Sequence, residues 1–154
     1  MALDANRADL CIGVIGTGAM GRGIVQVSAA GGINVVMMDT RAGAADEARD
    51  FVAKMLARAA EKGSMSQADA DAATARIRVA SSLTEFRDCH VVVEAIIENL
   101  DAKRALFGEL EGIVGPECIL ATNTSSMSVT TIAAKLKTPQ RFAGLHFFNP
   151  VPLM

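Results

Sequence analysis

The sequence predicts a doubly wound α/β domain, a mostly parallel sheet with helices on both faces, and three observations lead to it. Short β-branched runs alternate with longer stretches of helical spacing, the pattern of strands joined by crossover helices. The runs near Cys11 and His90 carry little polarity on either face, as central strands covered from both sides do. The turn Gly16-Thr17-Gly18-Ala19-Met20-Gly21 leads from the first run directly into the first helical stretch.

Strands are expected near Cys11 to Ile15, Asn34 to Met38, Arg78 to Ala80, His90 to Ala95, Ile119 to Thr122 and Arg141 to Phe147. Between the first two, Met20, Ile24 and Val27 share one face of a helix that starts near Ala19 and ends at Gly31-Gly32. Phe51, Val52, Met55, Leu56 and Ala59 form the apolar stripe of a long helix that Gly63 should stop, and an alanine-rich helix follows around Gln67 to Arg76. Leu106, Leu110 and Ile113 make the stripe of the helix after the fourth strand, and Ser128 is placed to cap a later one. No repeat or interdomain linker interrupts residues 1–154, which read as one dinucleotide-binding domain.

A chain of 154 residues, 51% hydrophobic and 21% charged, is long enough to bury a core without disulfides or metal. Its formal net charge of −2 argues against an electrostatic binder of nucleic acid or membranes. Cys11, Cys89 and Cys118 are odd in number and lack paired spacing, which points away from a disulfide framework or zinc site and toward a reducing compartment. The opening residues mix acids and bases where a signal peptide needs an apolar core, so a soluble, cytoplasmic protein is expected.

Strand, glycine turn and helix form the GxGxxG arrangement in its required context. Gly16 permits the tight turn, Gly18 lets backbone approach a pyrophosphate and Gly21 lets helix lie close to strand; the first two should not tolerate side chains. Thr17, Ala19 and Met20 complete the loop, and the helix start offers free N–H groups to an anion. Asp39 ends the second strand about 20 residues on, where a carboxylate accepts both hydroxyls of an adenine ribose and repels a 2′-phosphate. The cofactor expected is therefore NAD rather than NADP, with Arg41 as the contrary sign. The bland alternative, that these glycines only end a strand and start a helix, is weakened by the following strand and acid.

Three further segments end predicted strands and should meet at the same edge of the sheet: Val91 to Leu100, Asn123-Thr124-Ser125-Ser126-Met127-Ser128, and Gly144-Leu145-His146-Phe147-Phe148-Asn149-Pro150-Val151-Pro152. With these motifs in this order the sequence resembles the 3-hydroxyacyl-CoA dehydrogenase family over nearly all its length: GxGxMGxGI, VVEAIxENLxxK, NTSS and GLHFFNP. The resemblance implies a Rossmann-like fold and hydride transfer between an (S)-3-hydroxyacyl-CoA and NAD, with the 3-ketoacyl-CoA as product. Enzymes of this kind serve fatty-acid β-oxidation, butanoate metabolism and aromatic-acid breakdown.

Carried over by motif, His146 is the expected catalytic base, Ser125 the hydroxyl that meets substrate and nicotinamide, and Asn149 a further catalytic group. Glu98, Lys103, Ser125 and Asn149 would line the cofactor, and Lys62, from the basic series Lys54, Arg58 and Lys62, approximates a contact to CoA. The chemistry asks for such types: an alcohol losing hydride needs a proton acceptor, and imidazole as a type titrates near neutrality. The plainer readings are a packed histidine at a strand end, cap chemistry for Ser125, and a solvated helix start for Glu98 and Lys103.

Two further expectations come from the resemblance. Family members continue past this point with an acidic partner for the histidine and a helical domain that makes most of a homodimer contact. The 154 residues are accordingly expected to be an amino-terminal half that binds NAD but turns over weakly or not at all, with an apolar ending normally covered. The competing reading is a non-catalytic NAD-binding sensor or structural module on the same fold. The presence of Ser125, His146 and Asn149 together speaks against it, because a binder needs no proton acceptor.

Overall fold

The computed structural model describes residues 3–154, and its six strands form one parallel sheet in the order β3-β2-β1-β4-β5-β6. The strands are β1 (Cys11–Ile15), β2 (Asn34–Met38), β3 (Ile77–Val79), β4 (Val91–Glu94), β5 (Ile119–Thr122) and β6 (Phe142–Gly144). Five helices accompany them: α1 (Ala19–Ala30), α2 (Ala44–Glu61), α3 (Gln67–Ala75), α4 (Leu100–Glu111) and α5 (Val129–Ala133). The strand order reverses between β1 and β4, and the crevice at their carboxyl ends is where sheets of this kind bind ligands.

Alternation along the strands divides the core into two layers. Val35 and Met37 face one side with Val14, Val25, Val52 and Leu56, while Val36 faces the other with Phe86, Phe107, Leu110 and Leu120. Gly32, at φ +88°, closes α1: its N–H reaches Ala29 O at 3.1 Å and Ile33 N–H reaches Ser28 O at 3.0 Å, satisfying the last carbonyls. Ser66, Asn99 and Ser128 cap α3, α4 and α5 by accepting from backbone N–H groups three residues on. Among the described residues no helix is long and apolar enough to cross a membrane.

The structure corrects several local expectations. β3 begins one residue early, and β4 is trimmed at both ends. β6 stops at Gly144 rather than Phe147, because after Leu145 N–H bonds Thr122 O at 2.9 Å the next inward N–H, that of Phe147, is taken by the Asn123 side chain at 2.8 Å. Phe51 is not in the buried stripe of α2; it sits outside, its ring 3.9 Å from the Arg22 guanidinium carbon. The buried face of α4 is Lys103, Phe107 and Leu110 instead of Leu106, Leu110 and Ile113. A lysine occupies this core position because a buried carboxylate stands opposite it.

Candidate dinucleotide and catalytic site

The glycine turn is shaped by what its neighbours leave no room for. A Cβ on Gly16, at φ +91°, would lie 2.5 Å from Ala95 O, and one on Gly21 would lie 1.7 Å from Gly16 O. A Cβ on Gly18 would meet nothing within 4 Å, so the protein itself tolerates a side chain there. The open space in front of Gly18 is the cradle that a pyrophosphate needs. No side chain caps α1 and no acid stands in its first turn, leaving its N–H groups turned to that space.

Asp39 shares a cavity of about 530 Å³ with Gly16, Thr17, Gly18, Ile96 and Ala105. Its Oδ2 accepts from Thr17 N–H at 2.7 Å and Thr17 Oγ1 at 2.8 Å, and its Oδ1 accepts from Arg41 N–H at 3.0 Å. Burial pushes the carboxyl up, but these hydrogen bonds and the Arg41 charge outweigh it and hold Asp39 below its usual value. The Arg41 guanidinium, the group that could welcome a 2′-phosphate, is engaged instead with Glu47 at 2.7 Å. The loop and Asp39 together fit the adenosine and pyrophosphate of NAD.

A second cavity, of about 330 Å³, shares Ala95 and Ile96 with the first and is lined by Met20, Glu98, Lys103, Ser125, His146 and Asn149. The structure thus brings together all the site residues expected from the second half of the sequence. His146 and Ser125 are exposed within it, and the His146 ring stacks obliquely on Phe148 with centroids 4.6 Å apart. The histidine is held from both sides by the end of β5, through Leu145 N–H to Thr122 O and Phe147 N–H to Asn123 Oδ1.

Beneath that cavity lies a network the sequence reading missed. Lys103 Nζ donates to Glu94 Oε1 at 2.5 Å and lies 3.3 Å from Glu98 Oε2. Glu94 also accepts from Ile96 N–H at 2.7 Å and from the Thr122 hydroxyl at 2.7 Å. Thr124 Oγ1 donates to Glu98 at 2.9 Å, and Ser125 N–H reaches the same carboxylate at 3.2 Å. Burial raises the Glu98 carboxyl, but Thr124, Ser125 and Lys103 outweigh that and keep it below its usual value. The available signal was Glu94 itself, a charge closing an otherwise apolar central strand. Lys103 is far from the solvated helix start of the plainer reading.

Lys62 is not brought to either cavity. It caps the carboxyl end of α2, exposed, about 27 Å along a helix that begins near Asp39.

The comparisons with known proteins agree with this geometry. Residues 11–154 match the family model described as 3-hydroxyacyl-CoA dehydrogenase, NAD binding domain. A probable 3-hydroxybutyryl-CoA dehydrogenase of Deinococcus radiodurans is 45% identical over 142 residues, covering 92% of this chain and 51% of that protein. The crystal structure of 3-hydroxybutyryl-CoA dehydrogenase from Escherichia coli superposes with a TM-score of 0.92 at 38% identity, over 94% of this chain and 31% of that one. The (S)-3-hydroxybutyryl-CoA dehydrogenase of Ralstonia eutropha gives 0.89 at 42% identity, over 94% and 51%. The chain spans about half the length of several curated relatives it matches. It belongs to the 3-hydroxyacyl-CoA dehydrogenase family, and the part of that family it represents is the NAD-binding domain.

Proposed function

We propose that the intact protein interconverts an (S)-3-hydroxyacyl-CoA and the 3-ketoacyl-CoA with NAD as cofactor, and that residues 1–154 supply the cofactor site and the proton acceptor. The observation that supports this most strongly is that His146, Ser125 and Asn149 line one cavity that shares Ala95 and Ile96 with the cavity of the glycine loop. A module that only binds NAD has no use for an exposed imidazole at that point.

NAD, when bound, supplies the hydride acceptor. Gly16 to Gly21 and Asp39 would hold its pyrophosphate and adenine ribose; Glu98, Lys103, Ser125 and Asn149 would line its other half. His146 takes the proton of the substrate hydroxyl on one of its ring nitrogens and returns it in the reverse direction. Ser125 and Asn149 donate hydrogen bonds to the substrate oxygen as it becomes a carbonyl. Asn123 acts through His146, fixing the backbone on which that ring is carried. Lys62 at the far end of α2 would meet the phosphates of CoA, and we place the protein in the cytoplasm, as a homodimer built through its remaining length.

The test is NADH formation by the intact protein with (S)-3-hydroxybutyryl-CoA, or NADH consumption with acetoacetyl-CoA. His146→Ala is expected to lower kcat by about a hundredfold or more while NADH affinity changes little. Unchanged turnover would remove His146 as the base.

A further inference from the structure

The opposite edge of the sheet carries a thiol pair that the dehydrogenase chemistry does not use. Cys11 opens β1, Cys89 precedes β4 by two residues and Cys118 immediately precedes β5, so the parallel sheet gathers all three at its amino edge. Cys11 Sγ and Cys89 Sγ lie 3.9 Å apart. Both, with His90, Arg87 and Cys118, line a cavity of about 650 Å³. Cys11 is partly exposed to it, whereas Cys89 and Cys118 are buried.

We propose that Cys11 and Cys89 are a modification site, a dithiol that hydrogen peroxide oxidises to an intramolecular disulfide. The backbone already holds the two side chains in register: His90 N–H bonds Cys11 O at 2.9 Å, Cys11 N–H bonds His90 Nδ1 at 3.1 Å, and Cys89 N–H bonds Phe86 O at 3.0 Å. The hydrogen bond with the Cys89 thiol pulls the Cys11 thiol below its usual value against the effect of burial, with help from Arg78, while Cys89 itself is pushed up. Cys11, partly exposed to the cavity, is the first nucleophile, and the buried Cys89 beside it is the resolving thiol. Burial pushes Cys118 up to about 11, which leaves it a bystander.

The chemistry closes without a further co-reactant. Cys11 thiolate attacks one peroxide oxygen; an S–O bond forms, the O–O bond breaks, and hydroxide leaves to become water with the proton released by Cys11. Cys89 sulfur then attacks Cys11 sulfur; the S–S bond forms, the S–O bond breaks, and the departing oxygen takes the Cys89 proton as a second water. Two electrons pass from the two sulfurs to peroxide. The bond would join β1 to β4, the central pair whose other ends carry Gly16 and Glu94.

The experiment is a peptide map of the protein exposed to a small excess of hydrogen peroxide, alkylated with N-ethylmaleimide and digested without reductant. A linked Cys11–Cys89 peptide, an alkylated Cys118, and loss of the link with dithiothreitol are expected; Cys118→Ser should give the same link. Three alkylated cysteines, over-oxidised Cys11 without a link, or a link that involves Cys118 or a second molecule would each overturn the proposal. The map of the unmodified sequence reads the bond directly, so the result does not depend on any variant folding.

Discussion

Lys103 Nζ and Glu94 Oε1 stand 2.5 Å apart with side-chain exposures of 1% and 0%, beneath the cavity that His146 and Ser125 line. Taking one partner away leaves an uncompensated charge in the core, which costs about 3–5 kcal/mol. Lys103→Met is therefore expected to lower the free energy of unfolding in urea by about that amount, and Lys103→Met with Glu94→Gln by less than the first change alone. A loss under about 1 kcal/mol for Lys103→Met would mean that the pair is not sealed.

The three glycines of the loop should separate by experiment. Gly16→Ala and Gly21→Ala force a Cβ onto backbone 2.5 Å and 1.7 Å away and are expected to yield unstable protein. Gly18→Ala meets only open space and should fold normally, with its melting temperature nearly unchanged, yet lose NADH affinity. A Gly18→Ala protein that binds NADH as the parent does would show that no phosphate lies against that backbone.

Asn123 is expected to act on rate rather than on binding. Asn123→Ala removes the acceptor of Phe147 N–H and loosens the segment that carries His146, so kcat in the intact protein should fall about tenfold or more with KM for NAD little changed. Asn123→Asp keeps an oxygen in reach of that N–H and should recover part of the loss. Equal kinetics for the parent and Asn123→Ala would dismiss the positioning role.

Acid should destabilise the domain through its hydrogen-bonded carboxylates. Asp39, Glu98 and Glu111 lie below their ordinary values of 3.8, 4.5 and 4.5; in each, burial works upward and is outweighed by hydrogen bonds, for Glu111 those of the Thr138 hydroxyl and the Lys137 and Thr138 N–H groups. The folded state then binds protons less readily than the unfolded chain. The stability these groups confer is complete above their ordinary values and is lost as pH falls through the lower, folded ones. Melting temperature should be flat from about pH 7 to about pH 5 and drop below about pH 4.5, less steeply in Glu98→Gln with Glu111→Gln. A melting temperature that holds level down to about pH 3 would refute the assignment.

Periodicity and turn chemistry made most of the fold legible: β1, β2 and β5 fall where the apolar runs place them, and the GxGxxG turn sits between strand and helix as its spacing requires. That Ser125, His146 and Asn149 gather at one edge was legible from the strand ends they follow, whereas the roles expected of them came only from the motif resemblance. What escaped was decided by side-chain pairings between elements, which periodicity does not read. Lys103 reads as a surface residue until Glu94, on a neighbouring strand, makes its burial affordable. β6 reads as a longer strand until Asn123 captures Phe147 N–H.

The most direct test of the cofactor site is a fluorescence titration of the 154-residue chain with NADH and, in parallel, NADPH, for which the absence of Trp and Tyr leaves little protein background. Saturable binding that favours NADH is expected, with Asp39→Ala weakening it more than about tenfold and narrowing the preference over NADPH, and His146→Ala leaving it nearly unchanged. Equal affinity for the two nucleotides, or an Asp39→Ala chain that binds NADH as tightly as its parent, would contradict the placement of the adenine ribose at Asp39.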